Sequence, residues 1–135
     1  MLLSAVKISI TKNLEQSYSV PADDVLAEKV YEALFWVATE CEPSELIRST
    51  VAEADERVLR LLPEMKFIVV PEKPDFANTS KHLMIDEMLS YAVINFTSYL
   101  LSGEVKYKAL CDLWVSKYRI NDLNGFGSEE ISDDK

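Results

Sequence analysis

The single histidine of this chain has a carboxylate one helical turn away. His82 and Asp86 are four residues apart, so on a helix their side chains can touch. Such a pair can act as a general base with an orienting acid, or it can stabilise the start of a helix. No serine or cysteine stands in a sequence context typical of a nucleophile. The pattern therefore favours local stabilisation over catalysis.

Paired carboxylates offer a second possible chemistry, the binding of a divalent cation. Acids recur at helical spacing in three pairs, which are Glu28 with Glu32, Glu42 with Glu45, and Glu53 with Glu56. Carboxylates on neighbouring helices can hold Mg²⁺. The last pair, however, has arginines four residues further on, which favours surface ion pairs. We expect no metal and no other cofactor, and keep a small enzyme or metal-binding protein using helix carboxylates as an alternative.

Phosphate and nucleic-acid binding are disfavoured by the composition. The three glycines, at positions 103, 125 and 127, leave no glycine-rich phosphate loop. Cations and aromatics alternate near the C-terminus, at Lys106, Lys108, Lys117, Arg119, Tyr107, Trp114 and Tyr118. Cations can meet phosphates while aromatics stack on bases, but the aromatic spacing is that of a core stripe. The net charge of −9 also argues against direct nucleic-acid binding, which stays an alternative through the last helix.

An acidic region surrounds two aromatic residues in the first third of the chain. The consecutive residues Leu34 to Val37 are all large and apolar, so one helix face cannot hold them. Phe35 and Trp36 then point to either side of the inward stripe, where the rest of the fold or a partner must cover them. Residues 22–62 carry ten acids and four bases, a net −6. The predicted partner-binding residues are Phe35, Trp36, Glu28, Glu32, Glu40, Glu42 and Glu45.

The elements that must position these residues follow from periodicity. Val6, Ile8 and Ile10 alternate with polar residues, which predicts a strand that returns over 16–20 as an N-terminal hairpin. A helix is predicted from Asp23 to the residue before Pro43. A second helix is predicted from Pro43 to Pro63, because apolar residues recur there every three or four positions. The apolar run at 65–70 predicts a buried strand.

Two helices close the predicted fold. One runs from Thr79 or Ser80 to about Ser102, and its apolar circumference over 83–101 predicts either a central helix or a homodimer seam. The other runs from Glu104 to Ile120, with Tyr107, Leu110, Trp114 and Tyr118 inward. The order β-β-α-α-β-α-α predicts an α+β domain in which about four helices pack on a small antiparallel or mixed sheet. We expect one domain over 1–120 and an acidic, disordered tail over 121–135.

These observations favour a non-catalytic, acidic protein-binding module over an enzyme. Such a module could be an inhibitor or adaptor that binds a basic surface on a nucleic-acid-handling or other protein machine. The interrupted apolar run at the N-terminus and the polar residues within 83–101 argue against a signal peptide and a membrane span. We therefore expect a cytoplasmic protein. From the apolar circumference of the helix near 83–101 we also expect a homodimer that forms through this helix.

Overall fold

The computed structural model describes residues 1–15, 18–49, 56–78 and 80–133, and for 122–133 only the backbone. The predicted α+β class, with four helices and a small antiparallel sheet, is confirmed. The elements in chain order are α1 (Leu3–Leu14), α2 (Asp23–Glu40), a 3₁₀ turn (Ser44–Leu46), β1 (Ile47–Arg48), β2 (Val58–Leu62), β3 (Lys66–Val69), α3 (Glu87–Ser102) and α4 (Val105–Asp133).

The predicted N-terminal hairpin is wrong, because residues 3–14 form helix α1. The buried residues of this segment follow one another at helical spacings of three and four; they are Leu3, Val6, Ile10 and Leu14. Ile8, which a strand would bury together with Val6 and Ile10, is 56% exposed. Packing of a helical stripe against the other helices thus outweighs the β-propensity of the alternating residues. Of the predicted return strand, 18–20 is not a strand, and 16–17 lies outside the described residues.

The predicted helix from Pro43 to Pro63 is also wrong. Its first residues form the 3₁₀ turn and β1, and its last form β2, while 50–55 lies outside the described residues. The strand predicted at 65–70 is confirmed as β3, which pairs antiparallel with both other strands in the order β1-β3-β2. Hydrogen bonding to this central strand recruits the flanking segments into a sheet, whatever their own helical spacing.

The turn between β2 and β3 carries unusual backbone angles. Leu62 pairs with Lys66, and between them Glu64 and Met65 have φ angles of 62° and 60°. Residues other than glycine rarely adopt this left-handed region of backbone conformation. The tip also presents apolar side chains to solvent, because Leu61 is 79% and Met65 90% exposed.

Helix α3 lies at the centre of the helical layer. Half of its sixteen residues are buried, and it contacts α1, α2 and α4. Its polar Thr97 and Ser98 are buried too, and each hydroxyl donates to the carbonyl one turn earlier, at 2.8 and 2.9 Å. Helices of the same chain therefore cover much of the apolar surface that suggested a dimer seam, although Tyr91 is 40% exposed. The homodimer through the helix near 83–101 stays a prediction.

The ends of the last two helices agree only in part with expectation. α3 begins at Glu87, later than predicted, and ends at Ser102, where Gly103 with a φ of 73° provides the left-handed cap. α4 confirms the last helix but turns Leu110 outward, 41% exposed, and places Cys111 and Val115 in the core. The backbone of α4 continues to Asp133. The predicted division between a domain over 1–120 and a tail over 121–135 stays a prediction. None of the described helices is long and apolar enough to cross a membrane.

Candidate protein-binding site

Helix α2 carries most of the predicted binding residues, and its sequence explains how they are presented. One face is buried in the helical layer, through Leu26, Ala27, Val30, Ala33, Leu34, Val37 and Ala38. Asp23 and Asp24 occupy the first turn, where the positive end of the helix dipole favours carboxylates. Over its length α2 has five acids and one lysine, a net charge of −4. The helix therefore carries more acids than bases, although Lys7, Lys29 and Lys73 pair with Asp23, Glu32 and Glu28.

Three of the predicted residues share this outer side, which we call the acidic ridge: Glu28, Glu32 and Phe35. Both glutamates are exposed, and Phe35 is half-buried. The Phe35 ring meets the Tyr31 ring edge to face, with centroids 4.9 Å apart. An aromatic residue that is held by a neighbouring ring, on a helix face that also carries glutamates, is suited to contact a partner because its orientation is set in advance.

A cleft that the sequence did not reveal adjoins the acidic ridge. This acidic cleft has a volume of about 560 Å³ and lies between the start of α2 and the segment 73–77. Its charged lining residues are Asp23, Asp24, Glu28, Lys73 and Asp75, and its apolar ones are Val25, Ala27, Pro74, Phe76 and Ala77. Glu28 belongs to both the cleft and the ridge, so the two form one continuous surface.

Two of the carboxylates in the acidic cleft have cationic partners and two do not. Asp23 pairs with Lys7 at 2.7 Å, and Glu28 pairs with Lys73. Asp24 and Asp75 each accept a nearby backbone N–H, from Val25 at 2.9 Å and from Ala77 at 3.0 Å. Within the described part of the chain neither has an ion pair. An apolar floor with unpaired carboxylates suits a lysine or arginine, whose stem is apolar and whose tip is cationic.

Trp36, by contrast, serves the packing of the helices. Its ring stacks on Phe96 of α3 with centroids 4.7 Å apart and an interplanar angle of 17°. The ammonium of Lys108, from α4, lies 4.6 Å from the Trp36 ring centroid. The structure thus separates the two adjacent aromatics: Phe35 lies on the outer side of α2, and Trp36 joins α2 to α3 and α4.

The remaining predicted residues lie elsewhere. Glu40 and Glu42 line a separate cleft of about 430 Å³ at the end of α2, the terminal cleft, together with Thr39, Cys41, Arg60, Tyr118 and Arg119. Glu45 lines another cleft beside Met1 and His82. The seven residues predicted as one partner-binding surface therefore occupy several distinct surroundings.

Asp86 is not the partner of His82. Its carboxylate accepts hydrogen bonds from the Ser44 N–H at 3.0 Å, the Ser44 hydroxyl at 2.5 Å, the Glu45 N–H at 2.8 Å and the Tyr118 hydroxyl at 2.6 Å. Burial opposes the ionisation of Asp86, but these donors outweigh it and lower the pKa of the carboxyl below its ordinary 3.8. Asp86 is thus a structural anchor that joins the 3₁₀ turn, α3 and α4.

The aromatics considered for nucleic-acid contact are engaged within the fold. Tyr107 is buried and donates its hydroxyl proton to the Asn13 carbonyl at 2.7 Å. Trp114 stacks on Tyr91 with ring centroids 4.8 Å apart, and Tyr118 binds Asp86. Trp114 and Tyr118 also pack, partly buried, against the core of the helical layer.

The two cysteines and the paired carboxylates have surroundings that the structure describes in part. Burial raises the pKa of the Cys41 thiol and of the Cys111 thiol to about 12 each, which keeps both protonated at neutral pH. Among the described residues no three His, Cys, Asp or Glu side chains are grouped for a metal ion. Of the third carboxylate pair, Glu53 lies outside the described residues, and Glu56 pairs with Arg48 at 3.0 Å.

Sequence reasoning missed the acidic cleft because its two walls are distant in the chain. Asp23 and Asp24 are visible as helix-start residues, whereas Asp75 and Phe76 stand in a loop rich in prolines. Only the fold brings the two segments together. Comparisons of the chain with models of protein families, with curated proteins and with solved structures find no match.

Proposed function

We propose that this chain is an acidic protein-binding module that docks a basic surface of another protein on the outer side of α2. The observation that carries the proposal is the acidic cleft, in which Asp24 and Asp75 lack cationic partners in the described structure above an apolar floor. A lysine or arginine of the partner would place its methylenes on Val25 and Phe76 and its charge between the two carboxylates.

The acidic ridge extends this contact along the helix. Glu28 connects the cleft to Glu32 and Phe35, so a basic segment seated in the cleft would continue over an aromatic anchor. Desolvated aromatic residues carry much of the energy of protein interfaces, while surrounding charges set orientation and association rate. An inhibitor that covers a basic surface and an adaptor that joins two proteins would both use this side of α2.

The proposal can be tested with peptides of defined charge. We expect an oligo-arginine peptide of nine residues to shift the backbone amide resonances of 23–28 and 73–77 in a saturable way. An oligo-glutamate peptide of the same length should leave them unchanged. Shifts spread evenly over all acidic surfaces, or no shifts at low salt, would contradict a specific site.

Matched variants distinguish binding in the acidic cleft from a general attraction to the negative charge of the chain. The double change Asp24→Asn and Asp75→Asn keeps a side-chain acceptor for each backbone N–H and removes two charges. We expect it to weaken binding of the arginine peptide about tenfold or more. The control, Glu15→Gln with Glu64→Gln, removes two exposed charges elsewhere and should change affinity far less. Equal losses in both variants would contradict the assignment.

A further inference from the structure

The terminal cleft holds an unusual set of charges. Two guanidinium groups and two carboxylates line it, from Arg60, Arg119, Glu40 and Glu42. Eight ion pairs are found elsewhere in the described structure, but these four side chains form none, with one another or with any other described residue. Opposite charges that share a cleft without ion pairs leave the two carboxylates and the Arg119 guanidinium available to a ligand, while Arg60 adds its positive charge and the donors that it does not use on carbonyls.

The walls of the terminal cleft are held in place by the fold. Arg60 donates from Nη2 to the Cys41 carbonyl at 2.7 Å and to the Ala38 carbonyl at 3.3 Å, which caps the end of α2. Tyr118 is held by its bond to Asp86 and by a longer one to the Glu42 carbonyl, at 3.2 Å. A cleft with walls braced in this way loses little conformational freedom when a ligand binds.

The chemistry of the cleft is that of binding. The Cys41 thiol is buried and donates to the Val37 carbonyl at 3.2 Å, so it offers no nucleophile to the cleft. The Thr39 hydroxyl likewise donates to the Phe35 carbonyl, at 2.7 Å. What remains for a ligand are guanidinium donors and carboxylate acceptors, which recognise groups of opposite charge.

We propose that the terminal cleft binds a small zwitterion, of the class of free α-amino acids. The ligand carboxylate would lie against Arg119 and Arg60, and its ammonium against Glu40 and Glu42. A simple anion would be repelled by the two glutamates and a simple cation by the two arginines, so a compact ligand of both signs fits best. This site is independent of the proposed protein-binding function, because the acidic cleft lies at the other end of α2.

The test compares one amino acid with its two blocked forms. L-methionine should shift the amide resonances of 39–42, Arg60 and Arg119 in a saturable titration. N-acetyl-L-methionine lacks the ammonium and L-methionine methyl ester lacks the carboxylate. Each should bind at least about tenfold more weakly. Absence of a saturable shift with L-methionine and with L-glutamine, or equal binding of the blocked forms, would overturn the proposal.

Substitutions at exposed positions test whether L-methionine binds in the terminal cleft without destabilising the fold. Arg119→Gln should weaken L-methionine binding about tenfold, while Arg57→Gln, an exposed arginine outside the cleft, should not. Glu42→Gln should weaken binding similarly, with Glu64→Gln as its control. If the controls lose as much affinity as the cleft variants, the site assignment is wrong. The variant with Asp24→Asn and Asp75→Asn should bind L-methionine normally.

Discussion

At the scale of single residues, the most informative side chain is Asp86, which receives four hydrogen bonds from three residues. Its spacing from His82 indicated a local pair, and the sequence contains nothing that identifies Ser44 or Tyr118 as its donors. Those donors are 42 and 32 residues away and meet Asp86 only through tertiary packing. Sequence spacing predicts neighbours on one helix well, but it does not predict contacts between elements.

Asp86→Asn should destabilise the fold by about 2 kcal/mol at pH 7, because hydrogen bonds to a charged acceptor are lost and one amide donor replaces an acceptor. The folded-state pKa is lowered, so the stabilisation is complete above the ordinary value of 3.8 and is lost as the pH falls through the folded-state pKa. Urea unfolding of both proteins should therefore show a smaller difference at pH 3 than at pH 7. An unchanged difference would contradict the role of the charge.

The two cysteines should be unreactive in the folded protein. Burial raises the pKa of both thiols to about 12, and only the thiolate attacks an aromatic disulfide reagent. At pH 8 we expect slow labelling of the native chain and rapid labelling of two thiols per chain in urea. Rapid modification of either thiol under native conditions would show that its surroundings are open.

At the scale of elements, the sequence predicted those segments whose signals are local and misassigned those that tertiary packing decides. Helix α2, strand β3 and the end of α3 follow from periodicity and from helix-ending residues, because these signals are local. Segment 3–14 was misassigned because its apolar residues satisfy a period of two and a helical period at once. Packing against the other helices decides between the two periods, and that packing is not local.

Alanine substitutions distinguish the two periods. In a strand, Ile8 and Ile10 would share the buried side, whereas in α1 only Ile10 is fully buried. Ile10→Ala should therefore cost about 3 kcal/mol of unfolding free energy, and Ile8→Ala less than about 1 kcal/mol. Chemical denaturation of both variants checks this, and equal costs would favour the strand.

The turn between β2 and β3 offers a stabilising change. Glu64 holds a left-handed backbone, which costs a residue with a Cβ about 1–2 kcal/mol, whereas glycine adopts it freely. Glycine also raises the conformational entropy of the unfolded chain, which offsets part of this gain. The net effect of Glu64→Gly should be a stabilisation of the fold by about 0.5 kcal/mol. The control, Glu72→Gly, lies at a position without a positive φ and should destabilise it. The opposite order of melting temperatures would contradict the turn geometry.

At the scale of the whole molecule, net charge was the strongest guide to function that the sequence offered. Composition indicated an acidic surface, and α2 carries a net −4, but the position of the acidic cleft depends on a second wall at 73–77. Of the predicted site residues, Glu28, Glu32 and Phe35 share the outer side of α2. Trp36 does not lie on this outer side, since its ring stacks on Phe96 of α3. The sequence could not show this, because an aromatic residue beside an apolar stripe can be covered either by a neighbouring helix or by a partner.

The net charge of −9 also affects the expected association rate of a basic partner. Attraction between unlike charges accelerates encounter and is screened over about 8 Å at physiological ionic strength. We expect the association rate of the nine-residue arginine peptide to fall several-fold between 20 and 150 mM salt, in stopped-flow measurements, with a smaller change in dissociation rate. A salt-independent association rate would argue against electrostatic steering.

The placement of the two tryptophans provides the chain with built-in optical probes. Trp36 stacks on Phe96 where α2 meets α3, and Trp114 stacks on Tyr91 where α3 meets α4. The Trp36 indole also lies against Lys108 of α4, so its emission depends on the contacts of α2 with both α3 and α4, whereas that of Trp114 depends on the contact of α3 with α4. In a Trp114→Phe variant the remaining tryptophan fluorescence reports the release of α2 from its two neighbours, and in Trp36→Phe it reports the separation of α4 from α3, so both events can be timed without attaching a dye.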